Sequence, residues 1–135
     1  VKFIVMGVKG KARPRFVNGH AYTPQGTKKY EDQIKQAYLQ AGGKVYETAV
    51  RVRIKAHYRM PSSISEKEAD QRFKDGCLKK PDVDNIAKAV MDGLHGVAYK
   101  DDKQVVKLVV EKEWDTFEFV EVWVNEGKEY KEWEE

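Results

Sequence analysis

The stretch Lys80-Pro-Asp-Val-Asp-Asn-Ile-Ala-Lys-Ala-Val-Met-Asp-Gly-Leu-His-Gly-Val-Ala-Tyr-Lys-Asp-Asp-Lys-Gln104 decides how the rest of the chain is read. It holds Asp82, Asp84, Asp92, Asp101 and Asp102 around one helical pattern. Pro81 biases Lys80 toward extended backbone and gives the helix no earlier start. Asp82 and Asp84 leave extended backbone on the same side, whereas on a helix they would stand about 200° apart. Asp84 is therefore expected at the N-cap or in the first turn, with Asp82 still extended, where the helix dipole favours negative charge.

From Asn85 the pattern stays helical to His95, and Gly96 suits a left-handed stop. Ile86, Ala89, Val90, Gly93 and Leu94 share one arc, and Asp84, Lys88, Asp92 and His95 share the opposite one. Burying Ile86, Val90 and Leu94 stabilises the docked helix by roughly 1.5–3 kcal/mol each. A solvated Asp84–Lys88–Asp92 ladder accounts for the outer arc, at only about 0.2–0.5 kcal/mol per pair. It does not account for Asp82 beside Asp84, nor for Asp101-Asp102 just ahead of Val105–Trp114, an alternating run that reads as a strand. A strand that follows the helix and lies alongside it can bring Asp102 back to Asp82 and Asp84. Three close carboxylates repel unless a cation neutralises them or some take up protons. Hard oxygen ligands of this kind suit Mg²⁺ or Mn²⁺, and no Cys/His set suits zinc. The residues by themselves point to metal-dependent phosphate chemistry.

Lys80-Pro-Asp-x-Asp-Asn-x-x-Lys-x-x-x-Asp-x-Leu, followed by Asp-Asp-x-Gln-Val, resembles the signature of the RusA family of Holliday-junction resolvases. These are small, dimeric, Mg²⁺-dependent endonucleases often carried by prophages. The match runs from Lys80 to Val106, with a weaker one in Lys11-Ala-Arg-Pro-Arg15 and the following Tyr22-Thr-Pro. The resemblance implies that Asp82, Asp84 and Asp102 are the metal-binding carboxylates and that Lys88 is catalytic or contacts phosphate. It implies a supporting role for Asn85; Asp101 and Asp92 match as well, without a direct bond to the ion. It further implies a homodimer acting on branched DNA. The near two-fold symmetry of a four-way junction, which needs two related cuts, agrees with two sites about a C₂ axis.

The chain has 135 residues, enough for one domain with a buried core. Its mean hydropathy of −0.72 is low, yet apolar periodicity runs through most of it. The single cysteine, Cys77, excludes an internal disulfide and fits a reducing cytoplasm. Phe3–Met6 is too short an apolar run for a signal sequence or a membrane span. The net charge of +3 hides an asymmetry. Residues 111–135 carry ten acids against three lysines, −7, so the other 110 residues carry +10. A basic body favours a polyanion, of which nucleic acid is the commonest.

In chain order, Lys2–Val8 reads as a strand and Lys9–Arg15 as a basic loop whose Lys11, Arg13 and Arg15 can grip phosphates. Thr27 is placed to cap a helix from Lys28 to about Ala41 whose buried face is Tyr30, Ile34, Ala37, Tyr38 and Ala41, the tyrosines serving as core and edge rather than a base-stacking platform. Val45–Met60 is the clearest strand pattern. Val50, Val52, Ile54, Ala56 and Tyr58 face one way; Arg51, Arg53, Lys55, His57 and Arg59 face the other. Like charges along one face are unfavourable without a counter-ion. The stripe is therefore read as a DNA-binding surface, with His57 a bystander. Ser65-Glu-Lys-Glu68 is a capping box opening a short helix to about Lys74. Lys79 and Lys80 bring cations beside the acidic site. Val105–Trp114 and Phe117–Asn125 read as two strands joined by a tight turn at Asp115-Thr116. Glu126–Glu135 is an acidic end, either a terminal helix or a tail.

This order gives an α+β (mixed α/β) fold: a single domain over residues 1–135, one mixed sheet with helices packed on it. The expected activity is Mg²⁺-dependent hydrolysis of DNA phosphodiesters by an activated water, with Mn²⁺ as a substitute. Two other readings stand beside it. An aspartyl-phosphate enzyme would want a buried strand before Asp82, which Gly76–Pro81 is not. A non-catalytic nucleic-acid-binding module would bind DNA without cutting it.

Overall fold

A computed structural model of the chain describes residues 1–11, 15–22 and 25–127. Its organising strand is β4, Val50–Arg59, whose alternating pattern buries Val50, Val52, Ile54, Ala56 and Tyr58 completely. On one side β4 pairs in parallel with β5 (Val105–Asp115), and on the other antiparallel with β6 (Phe119–Glu126). β6 in turn pairs antiparallel with β1 (Lys2–Met6), giving a four-stranded mixed sheet of order β1-β6-β4-β5.

Two helices cover the apolar face. α1 (Gln25–Gln40) packs Tyr30, Ile34 and Tyr38 into the core. The motif helix, α3 (Val83–Leu94), adds Ile86, Ala89, Val90 and Leu94. At Gly93 an added Cβ would stand 2.8 Å from the Ile34 side chain, so the missing side chain is what lets α1 and α3 approach this closely. The α+β class, the mixed sheet and the buried face of the motif helix agree with the sequence reading. So does the core role of Tyr30 and Tyr38. A shorter helix, α2 (Glu66–Asp75), opens on Ser65, whose hydroxyl accepts from Glu68 N at 3.1 Å, as the capping box predicts.

Two expectations are corrected. β5 and β6 do not form a hairpin, because β4 lies between them. Their connection passes over the end of β4, where Met60 N donates to Asp115 O and His57 pairs with Phe119. Two strand spacings are about 9.6 Å, and the steps from Asp115 to Phe119 reach about 13 Å, so a short loop serves either topology. Thr27 lies buried inside α1 rather than capping it. A two-stranded hairpin, β2 (Arg15–Val17) and β3 (His20–Tyr22), begins at the last residue of the basic loop. Its turn is Asn18-Gly19, both at positive φ (51° and 78°), the dipeptide that favours such turns. The acidic end beyond residue 127 and Arg13 lie outside the described residues.

Candidate active site

Asp82 is the N-cap of α3, in extended backbone at φ −69°, ψ 158°, and its side chain makes no capping hydrogen bond. Asp84 lies in the first turn, and Asn85 and Lys88 follow along the exposed side of the helix. The sequence reading of the pair, Asp82 extended and Asp84 in the first turn, agrees. The segment ahead of the pair is fixed from below. Lys112 Nζ donates to Lys79 O at 2.8 Å and to Pro81 O at 3.4 Å, and Tyr58 OH donates to Pro81 O at 3.4 Å. The Lys80–Pro81 peptide is cis.

The loop after β1 docks on the same corner. Lys11 N donates to Asn85 O at 3.1 Å, and a Cβ at Gly10 would stand 2.8 Å from Pro81. Lys11 Nζ is held between Glu31 (2.9 Å) and Asp92 (3.0 Å), so this lysine ties the loop to α1 and α3. Burial pulls its ammonium pKa down, but the hydrogen bonds to Glu31 and Asp92 outweigh that and hold it above 10.5.

Asp102 opens a short 3₁₀ turn (Asp102–Gln104) that leads into β5. The Asp101 carboxylate accepts from Lys103 N at 3.0 Å. Gln104 is the keystone of this turn: Oε1 accepts from Lys100 N (2.9 Å) and Asp101 N (3.0 Å), and Nε2 donates to Tyr46 O (2.8 Å) and Thr48 O (3.0 Å). Asp101 and Gln104 therefore support Asp102 through backbone. The signal was present in the sequence, since Asp-x-x-Gln is itself a capping-box spacing.

Asp82 and Asp84 do not meet Asp102 within one chain. Pro81 is held by Tyr58, at the far end of β4, whereas Val105 pairs with Val50, at its beginning. The chain between α3 and Asp102 stays at the C-terminal end of the helix, where Gly96 N donates to Tyr99 O and Tyr99 OH donates to Met91 O. Burial raises the pKa of both phenols; Asp82 adds to the effect at Tyr58, and Asp102 and Asp92 at Tyr99. α3 separates the two groups by its 12 residues, about 18 Å at ~1.5 Å per residue. Among the described residues, the carboxylates and histidine that do converge are His57, Glu113 and Asp115, on the other face of the sheet.

The basic stripe of β4 meets acids that periodicity within one strand does not reveal. Parallel pairing sets Glu111, Glu113 and Asp115 opposite Lys55, His57 and Arg59. Arg53 binds Glu111 at 2.8 Å and lies over Trp123, Lys55 binds Glu113 at 3.2 Å, and Arg51 Nε donates to Gly127 O at 2.7 Å. Lys79 and Lys80, by contrast, are exposed beside Asp82. Arg15 begins β2. No helix among the described residues is long and apolar enough to cross a membrane.

A family model described as endodeoxyribonuclease RusA matches residues 6–125. The chain is also 34% identical over 136 residues to "Uncharacterized protein YqaN" of Bacillus subtilis (strain 168), covering 93% of this chain and 96% of that one.

Proposed function

Because the chain belongs to the RusA family of endodeoxyribonucleases, we propose that it is a Mg²⁺-dependent nuclease that resolves four-way DNA junctions by paired hydrolytic cuts. The observation that carries this reading is Asp82, an N-cap aspartate that does not cap, exposed with Asp84 at the positive end of α3. Hard, outward-facing oxygen ligands at that end fit Mg²⁺, which takes one or two carboxylates and leaves room for phosphate. Asp82, Asp84 and Asp102 are the residues that would hold the ion. Bound there, such an ion would supply a water of lowered pKa and a positive charge toward the leaving oxygen.

The chain's own residues do the rest. Lys88, one turn past Asp84, is placed to stabilise the non-bridging oxygens of a phosphate held at this corner. Asn85 anchors the Lys11 loop through its carbonyl. Lys79 and Lys80 add cations to the same end, where DNA phosphates would bind. Hydrolysis needs no protein nucleophile: the oxygen of water joins phosphorus as the bond to the leaving oxygen breaks.

The gap between the Asp82–Asp84 pair and Asp102 supports a homodimer in which each site is shared. In a two-fold arrangement the Asp82 end of one protomer lies against the Asp102 end of its partner, and the symmetry produces two such sites at once. Two sites on a C₂ axis match the two cuts a junction requires. Buried, unpaired Cys77 is in keeping with work in a reducing cytoplasm.

The test is cleavage of a labelled synthetic four-way junction, beside linear duplex, in Mg²⁺ and in EDTA. Symmetric nicks confined to the junction, lost in EDTA and in Asp84→Asn, are expected. Tight junction binding with no nicks in any divalent metal would replace the nuclease with a binding module.

A further inference from the structure

On the sheet face that the helices leave uncovered, His57 is 4% exposed and stacks on Phe119 at 4.1 Å between ring centroids. Its Nε2 lies 2.5 Å from Glu121 Oε1. The other side of Glu121 is closed by Lys2, whose Nζ lies 3.0 Å from Oε2. On the opposite edge of the ring, Nδ1 faces Glu113 Oε1 at 3.0 Å and Asp115 Oδ2 at 2.9 Å. Neither approach has hydrogen-bond geometry, and Nδ1 is a buried nitrogen without a hydrogen-bond partner.

That arrangement asks for a cation. Nδ1 is a buried polar atom facing two carboxylate oxygens without a hydrogen bond of its own, and a cation held among the three would satisfy it. A carboxylate on the far ring nitrogen is also how proteins orient a metal-binding histidine and raise its basicity. We propose that His57, Glu113 and Asp115 form a binding site for a divalent transition ion, zinc by preference, with Glu121 orienting the histidine. The ligand atoms already lie within 4.8 Å of one another. Bonds of about 2.0–2.2 Å would space them roughly 3.3–3.5 Å apart, a rearrangement of tenths of an ångström to about one ångström. Imidazole nitrogen with two carboxylates suits Zn²⁺ or Mn²⁺ better than Mg²⁺, which prefers oxygen alone.

The ion would clamp β4 to β5 at the end where the chain leaves β5 for β6. Through the sheet from His57 is its neighbour Tyr58, which holds Pro81 ahead of the aspartate pair. The site therefore serves the frame of the active corner and is independent of the nuclease reading, since its occupancy is measured without DNA.

The experiment strips the full-length protein with a chelator and titrates Zn²⁺ by calorimetry and thermal unfolding, then Co²⁺ by visible absorption. Zinc should bind at about one equivalent per protomer and raise the unfolding temperature. Glu113→Gln and Asp115→Asn should each weaken it at least ~10-fold, and Glu121→Gln about 10–100-fold. Asp84→Asn should leave this affinity unchanged. With Co²⁺, d–d bands of a nitrogen-containing low-coordinate site should appear and be lost in Glu113→Gln. Circular dichroism confirms that each variant is folded. Zinc affinity unchanged in both Glu113→Gln and Asp115→Asn would overturn the proposal. So would nitrogen NMR showing both His57 ring nitrogens protonated with an equivalent of zinc present, because the cation between the carboxylates would then be the imidazolium itself.

Discussion

Mixing Asp84→Asn with Asp102→Asn should restore cutting that neither variant has alone. The argument is one of distance. A Mg²⁺ ion bonded at about 2.0–2.1 Å can bridge carboxylate oxygens no more than ~4–5 Å apart. The 12 residues of α3 put about 18 Å between the Asp84 end and the Asp102 end of one chain. On the proposed reading, each site therefore draws Asp82 and Asp84 from one protomer and Asp102 from its partner. Homodimers of either variant carry two damaged sites and should lose about 10² or more in rate, since such ions supply several kcal/mol of charge stabilisation. In a heterodimer, one site combines both substitutions and the other neither. Random exchange makes half of the dimers mixed, so about a quarter of the wild-type number of sites should return.

The assay is nicking of a labelled junction after the two proteins are co-refolded at equal concentration. The product should be a single nick rather than a resolved pair of duplexes, because each mixed dimer has one working site. The reciprocal mixture sharpens the number. In wild type mixed equally with Asp84→Asn/Asp102→Asn, about a quarter of all sites in the mixture should be intact if they are shared, and about half if each lies in one chain. Recovery no better than the parents, together with retention of half, would refute the shared site. Junction binding measured in parallel shows that each variant still assembles and binds.

Four further outcomes follow from the geometry. Gln104→Ala removes the groups that hold the Asp101–Asp102 turn; cleavage should fall about 10–100-fold while junction affinity changes less than about threefold, read by single-turnover rate against Kd. Lys79→Ala/Lys80→Ala should lower the salt slope of junction binding by about 0.9 for each phosphate that is no longer neutralised, and Arg53→Ala by less, because Arg53 is already paired with Glu111. Lys11→Met removes an ammonium whose raised pKa gives stability that is complete below the unfolded value of 10.5 and lost as pH rises through the folded one. Urea midpoints of wild type and this variant should therefore differ steadily below the unfolded value of 10.5 and converge only as the pH rises through the higher folded one. Gly93→Ala sets a helix-propensity gain of up to ~1 kcal/mol against a Cβ placed 2.8 Å from Ile34; the clash should win by about 1–3 kcal/mol in urea unfolding, and a more stable variant would mean α1 can move away.

What was legible in the sequence is what dense, local periodicity encodes. β4 alternates without interruption, and the apolar arc of α3 is nearly continuous, so their buried faces follow from residues a few positions apart. The order of strands does not, because Asp115–Phe119 is a connection that can turn back beside β5 or step across β4 at almost the same length. The pairing of charges on the outer face was hidden for the same reason. Arg53, Lys55 and His57 read as a cationic stripe along one strand. Glu111 and Glu113, the counter-ions of Arg53 and Lys55, sit more than 50 positions away and meet them only through the parallel register. A stripe read along one strand can be assigned a partner only once its neighbours are known, and here the partner is protein.

The candidate site divides differently. Asp82, Asp84, Lys88 and Asp102 could be picked out from spacing and resemblance, and Asp82 ahead of the helix agrees with the reading of Pro81. Their mutual distance was also within reach of the sequence. A helix from Asn85 to His95 already implies about 15 Å along its axis, and a strand that begins after it starts at its C-terminal end. For β5 to lie parallel to β4 it must run away from that end, carrying no part of itself back to Asp82 until well past Val105. Asp102 precedes the strand, so it is left at the wrong end for its own chain. The parallel pairing that makes the sheet therefore also forbids an intramolecular cluster, and it is this topological fact, more than any contact of a single side chain, that argues for two copies at one cut.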